Sequence, residues 1–419
     1  MTDGRSERRA LFLLPIVLAC LSMLGPFSID TPFPAFQEMA RDFDVASVDL
    51  QLVVSSYLLA FAVMSPFHGP ISDAVGRRPV MVAGVLVFAV ASVGCALSPT
   101  LPVLLGFRVL QGLSAGGAAI VGRTVIRDLY EGDRAQQLMS RVMMIFGVAP
   151  AVAPIVGGLL LQLGPWPLVF WFLAGFGLAL AALVTFTLPE SHPPERRIPF
   201  RPRSLLGALT GTVRHGGFHL VAWGAAFAFA GQFLYIGAAP IFVVDLLGLG
   251  ELDFWIFFVP MIVGLTLGSF ISGRAAGRVP RHVLITGAAC FALLGALVNV
   301  LLAALPATSA ELPWAVVGPA LIAVGTGAAY PSQQLILMDL FPEARGSAVS
   351  MFVFFTLVLN AAVAGALAPV VTGSVLTMAT ASLVLVALGL LSWSVHLRAG
   401  QRARATAEVP EELAPTESL

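Results

Sequence analysis

The chain has 419 residues, of which 58% are hydrophobic and only 11% are charged, and its mean hydropathy is +0.91. Soluble domains carry about 25% charged residues, so this composition excludes an ordinary globular enzyme and indicates an integral membrane protein. The 23 basic residues are all arginines and balance 23 acids, which leaves nucleic-acid binding without an electrostatic basis. The three cysteines lie in apolar runs without CxxC spacing, so neither a disulfide framework nor a metal site is expected.

Long uncharged runs divide the chain into segments that can cross a membrane as helices of about 20 apolar residues. The run 142–189 has 48 residues. As one helix it would measure about 72 Å, more than twice the ~30 Å hydrocarbon core, so it must fold back at the turn sequence 164–167. The run 346–397 folds back likewise near residues 369–374. Twelve spans are predicted, at about residues 10–37, 48–72, 79–98, 101–125, 137–162, 166–188, 217–246, 253–275, 281–305, 312–338, 345–368 and 374–397.

Arginine placement predicts the orientation of these spans. With an even number of spans both termini share one side, and 21 of the 23 arginines fall on that side. Arg41 alone falls on the other side, and Arg108 lies within the membrane. By the positive-inside rule both termini are cytoplasmic.

The longest polar break divides six spans from six. Residues 71–73 (ISD) and 76–77 (GR) recur about 200 residues later as 271–273 (ISG) and 277–278 (GR). Two six-helix halves with a weak internal repeat are typical of secondary transporters with a site between the halves. The predicted fold is therefore an all-α membrane protein with two pseudo-symmetric six-helix bundles. The predicted units are an N-terminal bundle 1–188, a cytoplasmic linker loop 189–216, a C-terminal bundle 217–398 and a disordered cytoplasmic tail 399–419.

Two ionisable residues lie inside the predicted hydrocarbon core, where a charge costs at least about 2.5–3.5 kcal/mol. Asp30 in span one and Arg108 in span four are both about 10–12 Å below the outer face, counted at 1.5 Å per residue. A pair between them is therefore allowed. The functional interpretation is that Asp30 alternates between ionised and protonated forms while Arg108 stays charged. The alternatives are a static buried ion pair, or an Asp30 that is merely exposed to water.

The connection between spans two and three, residues 69–79, carries a specific spacing of small and charged residues. Gly69 would allow close approach of another helix, and Gly76 permits a tight turn. Asp73 can lie near the positive end of a neighbouring helix or pair with Arg77. The alternative is a charged turn that serves only the arginine bias. This loop resembles the signature loop of the major facilitator superfamily.

Further segments of the first half resemble the Bcr/CflA branch of the superfamily's drug/proton antiporters. They are residues 28–35 (SIDTPFPA), 107–112 (FRVLQG), 122–129 (GRTVIRDL) and 147–158 (GVAPAVAPIVGG). The last is similar to the antiporter motif, with Ala153 at a position that is usually glycine. Its small residues would allow tight contact with the other half, and its prolines would bend the helix. The motif positions are Gly147, Pro150, Pro154, Gly157 and Gly158.

The resemblance implies roles for single residues. Asp73, Arg77 and Arg78 would latch the cytoplasmic gate, with Asp128 as an ion-pair partner of the loop's arginines. Asp30 and Arg108 would form the proton-coupling centre. The second half matches weakly, because Gly273 stands where Asp73 stands in the first half.

Polar and aromatic residues at mid-membrane depth are candidates for a substrate cavity. A few polar groups in an apolar cavity suit drug-sized amphipathic ligands, whereas hydrogen bonding between helices is the alternative for each amide. The candidates are Tyr57, Gln111, Gln232, Tyr235, Tyr330, Gln333 and Asn360.

The resemblance implies a proton-driven exporter of amphipathic drugs such as amphenicol- or bicyclomycin-like antibiotics, in a bacterial inner membrane. Its expected partners are the drug-like substrate, protons and the lipid bilayer, with no cofactor beyond the proton gradient, and a monomer is expected. One alternative is a proton-coupled exporter of an endogenous metabolite. Another is a non-transporting receptor or scaffold, against which stand the missing soluble domain and the embedded acid and base. An enzyme is not expected, because no nucleophile–base pair, metal cluster or phosphate loop is evident.

Overall fold

The computed structural model describes residues 4–129, 132–197, 199–341 and 345–407, and the regular structure of these residues is helical throughout. Eleven of the described helical stretches are long and apolar enough to cross a membrane, and the remaining predicted span lies in a helix whose apolar part is Gly147–Leu163. The principal helices are α1 (Gly4–Asp30), α2 (Gln51–Val75), α3 (Arg77–Ala96), α4 (Leu101–Leu129), α5 (Gly132–Leu163), α6 (Pro167–Thr187), α7 (Gly216–Gly237), α8 (Phe254–Ala275), α9 (Arg281–Ala304), α10 (Trp314–Leu340), α11 (Arg345–Ala362) and α12 (Val375–Ala407).

The first span is shorter than predicted at its outer end. α1 stops at Asp30 instead of continuing to residue 37, and the chain then forms a 3₁₀ turn, Phe33–Ala35, and a short helix, Phe36–Asp42. Pro32 and Pro34 explain the break, because proline lacks an N–H donor and disfavours helical geometry in the residue before it. Asp30 therefore lies at the end of a helix and not within one.

Two other predictions of element boundaries were wrong. Span seven ends at Gly237, and the chain continues through Pro240 into a separate π-helical turn, Ile241–Leu246. The linker, predicted as a loop, contains the helix Pro202–Arg214, which begins with proline in its first turn, where a missing N–H costs nothing. This linker helix buries Leu209 and Thr212 and leaves most of its other residues exposed or half-buried.

The helices pack as two sets with a limited interface. In the first half α2 and α3 pack against α4, α3 packs against α6, and α1 packs against α5. In the second half α8 and α9 pack against α10, and α12 packs against α7 and α9. The halves meet where α2 contacts α11 and α5 contacts α8. The face opposite the termini, which carries loops 97–100 and 305–313, is called the outer face below.

Close contacts join the halves at this outer face. Phe33 stacks on Phe258 with ring centroids 6.4 Å apart, and Gln37 donates a hydrogen bond to Asp245. A methyl group at Gly158 would lie 2.7 Å from the carbonyl oxygen of Glu251, so the backbones of α5 and the α7–α8 connection touch there. The protein is therefore closed at its outer end.

Candidate functional site

Arg108 of α4 is fully buried and anchors three helices of the first half. Its Nη1 donates to the carbonyl and hydroxyl oxygens of Ser28, both at 3.0 Å, and its Nε donates to the carbonyl oxygen of Val53 at 2.9 Å. The guanidinium carbon lies 4.6 Å from the ring centroid of Tyr57, in cation–π geometry. Arg108 Nη2 has no hydrogen-bond partner among the described residues. The cation is thus held by neutral acceptors and an aromatic face.

Asp30 is also buried, with 2% of its surface exposed, yet it forms no ion pair with Arg108. The described ion pairs within 4.0 Å are Arg77–Asp73, Arg77–Asp128 and Arg281–Asp339, and Asp30 Oδ1 has no hydrogen-bond partner in the described part of the chain. The allowed pair is therefore not formed in this structure. Arg108 instead binds the backbone of Ser28, two residues before Asp30.

Further buried polar atoms without described partners belong to the same outer part of the first half. They include Thr31 Oγ1 and both amide atoms of Gln51. Arg108 is hydrogen-bonded to residues 28 and 53. Residues 30–31 and 51 lie on the outer side of these two along α1 and α2, so they are close to each other one step nearer the outer face. Buried polar groups without partners are rare, and they concentrate where function requires them. Thr31 and Gln51 were missed from the sequence because a single threonine or glutamine near a span end carries no motif.

Gln111 is buried and hydrogen-bonded to Arg108 and to α3. Its Oε1 accepts from Arg108 Nη1 at 2.8 Å, and its Nε2 donates to Ser92 Oγ on α3 at 2.7 Å. The two residues are three apart on α4, which places their side chains on one helix face. These bonds fit the alternative of hydrogen bonding between helices: Gln111 orients Arg108 and joins α4 to α3, and its place in a substrate cavity stays a prediction.

The signature loop forms a compact charged cluster within the first half. Arg77 Nη1 pairs with Asp73 at 2.5 Å and donates to Ser72 Oγ at 2.6 Å, while Arg77 Nε pairs with Asp128 of α4 at 3.0 Å. Ser191 Oγ also donates to Asp128, at 3.0 Å. Arg77 is buried, so this cluster fixes the ends of α2, α3 and α4 relative to each other.

Glu190, which sequence reasoning did not single out, caps the start of α3. Its carboxylate accepts hydrogen bonds from the backbone N–H groups of Arg77 at 3.0 Å and Arg78 at 3.2 Å. These are among the free donors of a helix N-terminus, where negative charge is favoured. Gly76 connects the helices with φ of +115°, and a methyl group there would lie 2.8 Å from Glu190 Oε2, so glycine is required. Arg78 donates through Nη2 to the carbonyl oxygen of Thr185.

Replacing Glu190 with alanine is expected to destabilise the protein by about 1 kcal/mol, because the first N–H groups of α3 lose their acceptor. Thermal unfolding of the purified protein measures the effect as a lower Tm. Glu195→Ala is the matched control, because Glu195 is exposed in the same linker. Equal melting of the two variants would contradict the capping role.

Gly69 does not contact another helix in this structure. No described atom lies within 4 Å of a methyl group placed on it, so the expected close approach is absent in the outward-closed arrangement. Gly147, at the other end of the antiporter segment from Gly157 and Gly158, is equally open.

The antiporter segment makes two backbone contacts at its outer end. A methyl group on Gly157 would lie 2.1 Å from the carbonyl oxygen of Thr31, and one on Gly158 would lie 2.7 Å from that of Glu251. Pro150 and Pro154 lie inside α5, as the motif requires. Adjacent glycines thus contact the broken end of α1 on one side and the second half on the other.

Some of the remaining cavity candidates form described hydrogen bonds or ring contacts, and others have buried polar atoms without a described partner. Tyr235 is fully buried, accepts a hydrogen bond from Asn299 Nδ2 at 2.8 Å and packs in an aromatic cluster, so it stabilises the second half. Gln232 Oε1 and Asn360 Oδ1 are buried without described partners. Tyr330 is half-buried between the rings of Phe229 and Phe352, and Gln333 is buried. Gln232 and Asn360 therefore remain the strongest polar candidates for a ligand.

Comparison with known proteins resolves the family. The family model described as Major Facilitator Superfamily matches residues 18–365. The chain belongs to the Major Facilitator Superfamily.

Relatives of this superfamily member are consistent with the Bcr/CflA branch. It is 30% identical over 274 residues to a bicyclomycin resistance protein homolog of Haemophilus influenzae, covering 65% of this chain and 69% of the relative. It is 31% identical over 274 residues to multidrug resistance protein D of Escherichia coli, covering 65% and 68%. These relatives make the chain a multi-pass membrane transporter of small molecules and not an enzyme.

Solved structures of superfamily transporters share its fold. A D-xylose–proton symporter superposes with a TM-score of 0.71 at 17% identity, over 92% of this chain and 97% of that one. A bacterial homolog of the human lysosomal transporter Spinster, in an inward-facing and occupied conformation, gives 0.71 at 16%, over 93% and 96%. The predicted fold of two six-helix bundles is confirmed.

Proposed function

We propose that this transporter exports small amphipathic drugs, amphenicol- or bicyclomycin-like antibiotics among them, in exchange for protons by alternating access. The observation that carries the proposal is that the buried carboxyl of Asp30 lies two residues after Ser28, which binds the buried cation Arg108, and that Asp30 and Arg108 each have a polar atom without a described partner. Resistance relatives at about 30% identity support the substrate class.

Asp30 is suited to carry the transported proton. An ionised carboxylate buried without a cation is costly, whereas a protonated carboxyl in the same place is not. Without an ion pair to Arg108, the present arrangement fits the protonated form. Loss of the proton would draw Asp30 towards the free Nη2 of Arg108 and loosen the bonds from Arg108 to Ser28 and Val53. Those bonds join α4 to α1 and α2, so the proton's departure would move helices.

The cluster around Arg77 is proposed to act as the cytoplasmic latch. Asp73, Arg77 and Asp128 link the inner ends of α2, α3 and α4, and Arg78 joins α3 to α6. Gly69 faces open space in the outward-closed state. Closure of the inner side would bring the second half against this surface. The proposal includes a bacterial inner-membrane location, cytoplasmic termini and a monomer driven by the proton gradient, without a cofactor.

Expression in a drug-hypersensitive bacterial host tests the proposed function. We expect raised resistance to at least one amphenicol or bicyclomycin-type compound, and this resistance should collapse with a protonophore, since the gradient supplies the driving force. Minimum inhibitory concentration and drug accumulation are the measurements. Unchanged resistance across a broad panel, with the protein present in the membrane, would reject drug export and favour export of an endogenous metabolite.

A further inference from the structure

The inner loop of the first half neutralises its own arginine. Arg77 is buried, and its guanidinium pairs with Asp73 on α2 and with Asp128 on α4. Both acids belong to the same half as the arginine, so this loop needs no external anion.

The corresponding loop of the second half keeps the arginine and lacks the acid. Between α8 and α9, Gly277 and Arg278 recur in the places of the first loop's glycine and arginine, and Gly273 stands where the first half has an aspartate. Residues 254–310 contain three arginines and no aspartate or glutamate. The positive charge of this loop can therefore be balanced only by groups outside that stretch.

One of the three arginines is balanced by an acid of the chain. Arg281, at the start of α9, pairs with Asp339 at the inner end of α10. Neither Arg274 nor Arg278 forms an ion pair within 4.0 Å with any residue that the structure describes. The guanidinium carbon of Arg274 lies 5.1 Å from the ring centroid of Phe270, in cation–π geometry. We call these three arginines the inner basic patch.

The inner basic patch borders an open cavity. Residues 277–281 line a volume of about 460 Å³, which is in the range of small-molecule sites. The chain turns there at Gly277, whose φ is +74°. No described atom lies within 4 Å of a methyl group placed on Gly273 or Gly277, and all three arginines are exposed. The described part of the chain thus leaves this surface free.

Apolar side chains adjoin the patch on both helices. Phe270 is 58% exposed, Val279 38% and Val283 51%. Because α8 and α9 are long and apolar enough to cross a membrane, these side chains at their inner ends lie where acyl chains meet headgroups. A basic pocket beside a surface that contacts acyl chains matches the two chemically different ends of an anionic phospholipid.

We propose that Arg274 and Arg278 bind the headgroup phosphate of an anionic phospholipid, which takes the place of the carboxylate that the second half lacks. Arginine suits this ligand because its planar fork can donate two parallel hydrogen bonds to phosphate oxygens. Phosphatidylglycerol carries a net negative charge and phosphatidylcholine carries none, so the patch prefers the former. This binding is independent of the substrate that the transporter carries.

Native mass spectrometry of the full chain, released from detergent micelles, measures the dissociation constant of the first bound dioleoyl-phosphatidylglycerol. Arg274→Gln and Arg278→Gln are each expected to weaken this binding about fivefold, which is the contribution of one basic residue to binding an anionic surface. The double variant should weaken it further. Because both positions are exposed, the variants are expected to fold like the parent.

Gly273→Asp tests the proposal from the opposite direction. It returns an acid to the loop at a position with room for a side chain, so it should weaken phosphatidylglycerol binding about as much as the loss of one arginine. Arg203→Gln is the matched control, because it removes an exposed arginine from the linker helix and should leave the affinity unchanged. Dioleoyl-phosphatidylcholine should bind the parent more weakly and respond to none of the variants.

Equal affinities of the parent and the Arg274→Gln/Arg278→Gln double variant would overturn the proposal. An equal loss in Arg203→Gln would also reject it, because any surface arginine would then serve. Excess inorganic phosphate should leave the lipid bound, since the acyl chains anchor it. Complete displacement by phosphate would instead reveal a site for a free anion and reject the phospholipid.

Discussion

Replacing Asp30 with asparagine is expected to abolish proton-coupled export while leaving expression and drug binding intact. Asparagine keeps the size and polarity of the buried side chain but cannot gain or lose a proton, so the exchange loses its driving force. Proteoliposomes with an imposed pH gradient and a pH-sensitive dye provide the measurement. Drug-induced proton movement should vanish in Asp30→Asn, whereas drug–drug counterflow should continue, because counterflow needs no net proton transfer.

Asp44→Asn is the matched control for this experiment. Asp44 is an exposed outer-face acid whose φ of +53° asparagine readily adopts, so the same chemical change there should leave coupling unaltered. Asp30→Glu should retain part of the proton movement, because it remains titratable. Undiminished proton movement in Asp30→Asn would remove Asp30 from the mechanism.

Gly157→Ala is expected to destabilise the outward-closed state and lower export severely. The added methyl group would lie 2.1 Å from a backbone carbonyl of Thr31, and no flexible side chain is available to move aside. Overpacking of this kind costs about 1–3 kcal/mol. Because Thr31 adjoins Asp30, the displaced backbone is also expected to shift the proposed proton site. Thermal unfolding and vesicle transport measure the two effects separately.

Gly147→Ala on the same helix is the control that separates the effect of the lost backbone contact from the effect of helix propensity. No described atom lies within 4 Å of a methyl group there, and alanine favours a helix over glycine by up to about 1 kcal/mol. Its Tm should be unchanged or slightly higher. If Gly157→Ala melted and transported like Gly147→Ala, the backbone contact with Thr31 would have no energetic importance.

The sequence predicted the number of spans and their division into halves, because uncharged runs depend only on composition and bilayer thickness. Counting residues also placed Asp30 and Arg108 at similar depth. It could not give their rotation about the helix axes, and so it missed that Arg108 binds Ser28, Val53 and Gln111 instead of Asp30. Contacts between distant segments have no local signature, which is why Gln37–Asp245 and the cap at Glu190 emerged only from the fold.

The cap at Glu190 has a practical consequence for dissecting this transporter into independently produced halves. The first residues of the linker belong structurally to the first bundle. Glu190 binds the start of α3, and Ser191 binds Asp128 at the end of α4. A cut directly after α6 would strip those residues from the bundle that needs them. Division between Pro193 and Arg201 leaves the first bundle with its own closing residues, and the helix Pro202–Arg214 stays with the second.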